Sequence, residues 1–156
     1  MFLTLLFARL AVLCYLARFP LEAAGKTLAA KVVWTAGAAL LAIHTVVAIV
    51  LVHAGSHAAA VEATAERTRE AFGVDAGYGV WFNYACVLVW SADALRLSLS
   101  GSGSLARRDA WFWFVQTYLA FMIFFGAVVF GSLWWLLPIG ASVVATIVYR
   151  RERRLS

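Results

Sequence analysis

Residues 110–150 read AWFWFVQTYLAFMIFFGAVVFGSLWWLLPIGASVVATIVYR, and Arg150 is the first charged residue in the run. As one helix the uncharged part would extend about 60 Å at 1.5 Å per residue, roughly twice the hydrocarbon thickness of a bilayer. A break is therefore required. Gly131-Ser132 is the natural place, because Trp134 and Trp135 follow it at the level where amphipathic rings prefer the headgroups. The stretch then reads as two spans, 110–130 and 133–149, the second shortened and interrupted by Pro138 and Gly140.

The rest of the chain repeats this pattern. Of 156 residues 64% are apolar and 13% charged, and the mean hydropathy is +0.86. A soluble domain of this length has no interior large enough for that surface. Further apolar runs at 2–19, 32–53 and 78–99 meet the requirement of about 20 residues per crossing. The predicted fold is all-α, a single transmembrane domain over 1–156 forming a polytopic helical bundle of about five spans. Arg9 interrupts the first run, which lacks the basic-then-apolar order of a cleavable signal peptide, so a retained first helix is expected.

Charge between the runs predicts orientation, since Lys and Arg stay on the cytoplasmic side. Arg18, Lys26 and Lys31 against Glu22 give +2; Arg96, Arg107 and Arg108 against Asp109 give +2; the tail, Arg150, Arg151, Arg153 and Arg154 against Glu152, gives +3. The second connection, Arg67 and Arg69 against Glu62, Glu66, Glu70 and Asp75, gives −2. The N-terminus is expected outside and the C-terminus in the cytoplasm. Because the basic residues cluster at run ends, the net charge of +5 is a topology signal and implies no nucleic-acid partner. Trp34, Trp81, Trp111, Trp113, Trp134 and Trp135 read as interface anchors. Cys14 and Cys86 fall inside apolar runs and support no disulfide framework.

Residues 58–72 have the alanine content and spacing of a helix ending at Gly73, with Val61, Ala65 and Phe72 on a weakly apolar stripe. A short helix on the extracytoplasmic surface is expected. Ser100-Gly-Ser-Gly-Ser104 reads as a flexible linker.

Few residues could carry chemistry. His53 and His57 are spaced i, i+4, which on a continuous helix places both rings on one face, as two Zn or Cu ligands require. Asp75, Tyr78 or Asn83 would have to complete the site, and interfacial imidazoles bonded to loop backbone are the simpler reading. His44, near the middle of the second span, shares a face with Gly37, Leu41 and Ala48. It is a candidate haem ligand only if a partner supplies a second imidazole, and an interhelical hydrogen bond is the favoured alternative. Arg9 and Asp93 are the other costly intramembrane groups, each worth about 2.5–3.5 kcal/mol against insertion at a helix centre. Asp93 has Arg96 at i+3 for an ion pair; Arg9 has no partner in its own helix and would snorkel, meet loop carboxylates or contact an anionic headgroup. Asn83 and Gln116 are expected to form interhelical hydrogen bonds. No resident cofactor is predicted.

No G-x-S-x-G, P-loop, H-E-x-x-H or C-x-x-C is present, nor an internal repeat of the transporter kind. Ser56-His57-Ala58, Thr64-Ala65, Thr68, Gly77-Tyr78-Gly79, Asn83-Tyr84, Trp90, Asp93-Ala94 and the run from Phe125 to Gly131 together resemble a family of small uncharacterised bacterial multi-pass inner-membrane proteins. The resemblance covers roughly half the chain and implies a bacterial inner-membrane location, but no activity. The expectation is an accessory or assembly subunit of a membrane complex, not an enzyme, with lipid and other subunits or further copies as partners. Outward aromatics such as Phe112, Phe121 and Phe125 are its contact candidates. A metal or redox-cofactor binder using His53, His57 or His44, and a small transporter, are the alternatives.

Overall fold

The computed structural model describes residues 2–100 and 108–155, so most of the predicted Gly/Ser linker lies outside the described residues. Six α-helices follow one another: α1 (Phe2–Ala23), α2 (Thr27–Val47), α3 (His57–Phe72), α4 (Gly79–Leu99), α5 (Ala110–Ile123) and α6 (Leu136–Leu155). Turns of π-helix extend α2 through Ala48–Val52 and α5 through Phe124–Val129, and a short 3₁₀ turn, Leu133–Trp135, leads into α6. No strand occurs among the described residues.

Local chemistry sets the boundaries. After the α2 extension Ala54 and Gly55 take φ of 49° and 76°, and the Ser56 hydroxyl caps α3 by accepting from the Ala59 N–H at 3.2 Å. Gly73 ends α3 at φ 70°, as its sequence predicts. Asp109 caps α5, its carboxylate accepting from the Phe112 N–H at 2.8 Å. At the predicted break, a Cβ on Gly131 would lie 2.2 Å from the Ala127 carbonyl oxygen, so the chain can fold back there only without a side chain.

Three predicted spans change, the second by starting at Thr27 instead of residue 32. Pro20 lies inside α1, which runs to Ala23 instead of residue 19. Pro138 does not break the last helix: α6 begins at Leu136, so the proline falls in its first turn, where no intrahelical N–H bond is needed, and the helix continues through the arginines to Leu155. The surface helix docks as predicted through Val61 and Ala65 beneath Gly77; Phe72 is half exposed yet meets the rings of Phe125 and Phe130 at 6.1 and 5.8 Å.

The helices share a common pair of ends. At one end α3 meets the last turn of the α5 extension. At the other the α1–α2 turn, the end of α4, the start of α5 and the end of α6 come together: Lys31 reaches the Leu97 and Ser100 carbonyls, and the Arg153 guanidinium lies against Gly25. The core runs between α1, α2, α4 and α5 through Ala11, Tyr15, Trp34, Ala38, Trp90, Val115 and Leu119. Gly37 is its tightest point, since a Cβ there would be 2.5 Å from the Trp90 ring and 3.0 Å from the Cys14 Cβ. α6 lies outside this core against α1, held by the Ser142 hydroxyl donating to the Leu16 carbonyl at 2.7 Å.

Among the described residues four helices are long and apolar enough to cross a membrane: Phe2–Ala23, Thr27–Val52, Ala110–Val129 and Leu133–Leu155. Their exposed faces carry large apolar side chains, as expected of a surface solvated by lipid. α4 has comparable length at 21 residues, but Asn83, Asp93 and Arg96 lower its apolarity and it is not among the four.

Two glycine substitutions separate fold-back from composition. Gly131→Ala should destabilise the protein by about 1–3 kcal/mol, the usual range for overpacking, whereas Gly140→Ala, with open space at its Cβ, should be neutral or stabilising by about 0.5–1 kcal/mol. Thermal unfolding in detergent compares them; equal melting temperatures would refute the steric account of the break.

Candidate functional site: a buried charge and tryptophan cluster

The buried charged side chains, Arg18 and Asp93, lie near the end that holds the α1–α2 turn. Asp93 on α4 is 1% exposed. Its Oδ2 accepts from the Trp34 indole N–H at 3.0 Å; its Oδ1 accepts from Trp111 Nε1 at 2.9 Å and from Arg96 Nε at 3.1 Å. Arg96 also reaches Asp109 Oδ2 at 3.3 Å, which ties the end of α4 to the start of α5. The carboxylate thus accepts three donors from α2, α4 and α5 and ties these helices together at one level.

A second charge sits on the same tryptophan. Arg18 is 1% exposed, and its guanidinium carbon lies 4.0 Å from the Trp34 ring centroid. Phe112 lies 5.8 Å away on another side. Glu22 is 3.8 Å from Arg18 Nε and also accepts from Arg108 at 2.5 Å. Arg18 Nε and Nη1 make no hydrogen bond.

An aromatic layer stacks above these charges. Trp34 and Trp90 have ring centroids 5.1 Å apart, and Tyr15 packs on both at 5.8 and 6.1 Å. The Tyr15 hydroxyl donates to the Gln116 carbonyl at 3.4 Å. Trp90 Nε1 and both amide atoms of Gln116 are buried without a hydrogen-bond partner among the described residues. Groups of this kind ordinarily take internal water.

The predicted site residues fare differently. Asp93 and Arg96 pair as expected, at 3.0 Å. Gln116 is buried, but its side-chain amide makes no interhelical bond, and Asn83 lies on the exposed face of α4 without one. Arg9 is exposed on α1 and has no ion pair or hydrogen bond among the described residues. His44 Nδ1 lies 2.8 Å from the Thr4 carbonyl, an interhelical hydrogen bond in which the ring donates. His53 and His57 do not share a helix face: His53 closes the α2 extension, His57 opens α3, and the positive-φ pair Ala54-Gly55 separates them. His57 is hydrogen-bonded to the Tyr84 hydroxyl at 3.0 Å and packs on Trp81, not on loop backbone. Asp75, proposed to complete a metal site, pairs with Arg69 at 2.5 Å, a hydrogen bond that raises the Arg69 pKa above its ordinary value. Among the described residues no three His, Cys, Asp or Glu side chains are grouped to hold a metal ion.

Sequence reasoning missed Arg18 and misplaced Trp34 and Phe112. Trp34 is fully buried instead of anchoring an interface, and Phe112 is buried instead of facing lipid. The one local signal was the i, i+4 pair of Arg18 with Glu22. No family model, curated protein or solved structure matches the chain.

Chemically the cluster is a closed clamp: its carboxylate and ring donors are directed at one another. Trp34→Phe, which keeps a six-membered aromatic ring but loses the pyrrole ring and its N–H, should cost at least about 1.5–3 kcal/mol, the usual value of a hydrogen bond to a charged group, with the cost of the cavity added. Asp93→Leu should cost more, about 3–5 kcal/mol, by leaving two indole donors unpaired and Arg96 with Asp109 alone. Denaturation in mixed micelles measures both, and a Trp34→Phe protein as stable as the parent would show that the indole bond to Asp93 contributes nothing.

Proposed function

We propose that the chain is an inner-membrane protein with five crossings, N-terminus outside and C-terminus cytoplasmic, acting as an accessory or assembly subunit of a membrane complex. The observation that carries this reading is the closure of the intramembrane charges. Asp93 and Arg96 are directed into contacts between helices, and Arg18 stacks on Trp34. A transporter instead requires polar groups around a broken helix at mid-depth. With Pro138 in the first turn of α6, the helix predicted to be broken is continuous.

Charge supports the orientation. Arg18, Lys26, Lys31, Arg96, Arg108 and the four tail arginines gather at one end, against Glu22, Asp93, Asp109 and Glu152. The other end carries α3 with Glu62, Glu66 and Glu70 exposed. Such segregation is the positive-inside pattern in three dimensions. The fifth crossing is α4, whose Asp93 is turned inward, away from lipid.

The surface offered to another subunit lies on α5. Trp113, Phe114, Thr117, Tyr118 and Phe121 line an outward groove, and the Tyr118 hydroxyl bonds the Phe82 carbonyl at 2.7 Å to fix one wall. Phe121 is retained from the predicted contact set, Phe125 is half-buried beside Phe72, and Phe112 drops out.

The test has two arms. Cysteines introduced at Gly73 and near Arg154 should label from opposite sides, the second only from the cytoplasm; labelling of both from outside would remove the five-crossing reading. Mild-detergent extracts of cells expressing the chain should contain it in a larger assembly, and a photocrosslinker at Thr117 should join it to another membrane polypeptide. A monodisperse chain that crosslinks to nothing and moves a substrate in liposomes would replace the accessory reading with transport.

A further inference from the structure

We infer that the α1–α2 turn binds the phosphate headgroup of an anionic phospholipid. Among the described residues Arg18, Lys26, Arg108 and Arg153 lie about this turn, and the carboxylate that meets two of them is Glu22. Glu22 is already shared between Arg18 and Arg108. Neither Lys26 nor Arg153 has an ion pair among the described residues, and both are exposed. Arg153 is nevertheless placed: its Nη1 would lie 3.1 Å from a Cβ on Gly25, so its guanidinium rests directly on the turn.

The second observation is Arg18. Its guanidinium is buried behind Glu22, whose carboxylate lies 3.8 Å from Nε and is shared with Arg108, and Nε and Nη1 make no hydrogen bond among the described residues. Its attraction for an anion at the rim is screened less than that of an exposed residue. Beside the turn Leu28 is 75% exposed, and Val148 and Tyr149 on α6 are exposed about one turn before Arg153. An anion bound here therefore has hydrocarbon-compatible surface next to its cationic seat, which suits a phospholipid and is of no use to free phosphate.

The inference rests on the chain lying in a membrane and not on its accessory role. Its test uses the full chain in uncharged detergent, titrated with short-chain phosphatidylglycerol, phosphatidylcholine or inorganic phosphate and followed by native mass spectrometry and tryptophan fluorescence. Phosphatidylglycerol should bind at least tenfold more tightly than phosphatidylcholine. Lys26→Gln with Arg153→Gln should weaken it by roughly thirtyfold, the effect of two basic residues at a charged surface, at an unchanged melting temperature. Arg150→Gln with Arg151→Gln removes the same charge away from the turn and should change binding by less than about threefold. Equal losses in the two double variants would reduce the effect to diffuse attraction and overturn the site. Equal affinity for the two lipids, or displacement of the lipid by equimolar inorganic phosphate, would overturn it as well.

Discussion

One indole ring holds two opposite charges inside this bundle. The face of Trp34 lies under the Arg18 guanidinium, and its N–H points at Asp93. An aromatic ring carries negative charge on its face and positive charge at its edge, so each ion meets the part of the ring that stabilises it. Removing a charge from water costs several kcal/mol even after relaxation, and a lone buried cation or carboxylate at this depth would be expelled or neutralised. With Trp34 between them, Arg18 from α1 and Asp93 from α4 are kept in register with α2. Trp111 and Phe112 bring α5 to the same level.

That register fixes the packing above it. Tyr15 is about one turn from Arg18, and Trp90 about one turn from Asp93, so setting the ions level also sets these rings level. They meet as an aromatic layer against Trp34. Close approach of the three helices then depends on Gly37, where any side chain would enter the Trp90 ring. In lipid no hydrophobic force pushes helices together, so contact must come from small residues, ring packing and polar bonds of this kind. α6 has only part of this set, its serine bond to Leu16 and the packing of Ile139, and it lies at the periphery.

How much was legible follows from the range of each interaction. Spans, the fold-back at Gly131, the end of α3 at Gly73 and the Asp93–Arg96 pair depend on residues within one or two turns, and sequence spacing reports them. The burial of Arg18 and Trp34 depends on which residues of α2, α4 and α5 stand at the same height, and one sequence carries no measure of that. Arg18 sits five residues before the end of α1, where a snorkelling arginine is the ordinary expectation. The histidine pair failed for a local reason: the i, i+4 rule presumes an unbroken helix, and Ala-Gly-Ser between His53 and His57 supplies a break and a cap instead.

The same distinction explains why α4 differs from the four helices that meet a simple apolarity criterion. Hydropathy averages over all faces of a helix, while lipid contacts only some of them. In α4 the carboxylate of Asp93 is turned inward to two indoles and an arginine, while Leu88 and Leu95 stand 70% and 60% exposed on the outside. Its ends agree with this, because Gly79 starts against Thr64 of the surface helix and Leu97 finishes against Lys31 beside the α1–α2 turn. A helix of 21 residues, about 31 Å long, joins the two ends of the bundle directly. The polarity of α4 has its source in this joining role, since it carries the carboxylate to which Trp34 of α2 and Trp111 of α5 are bonded.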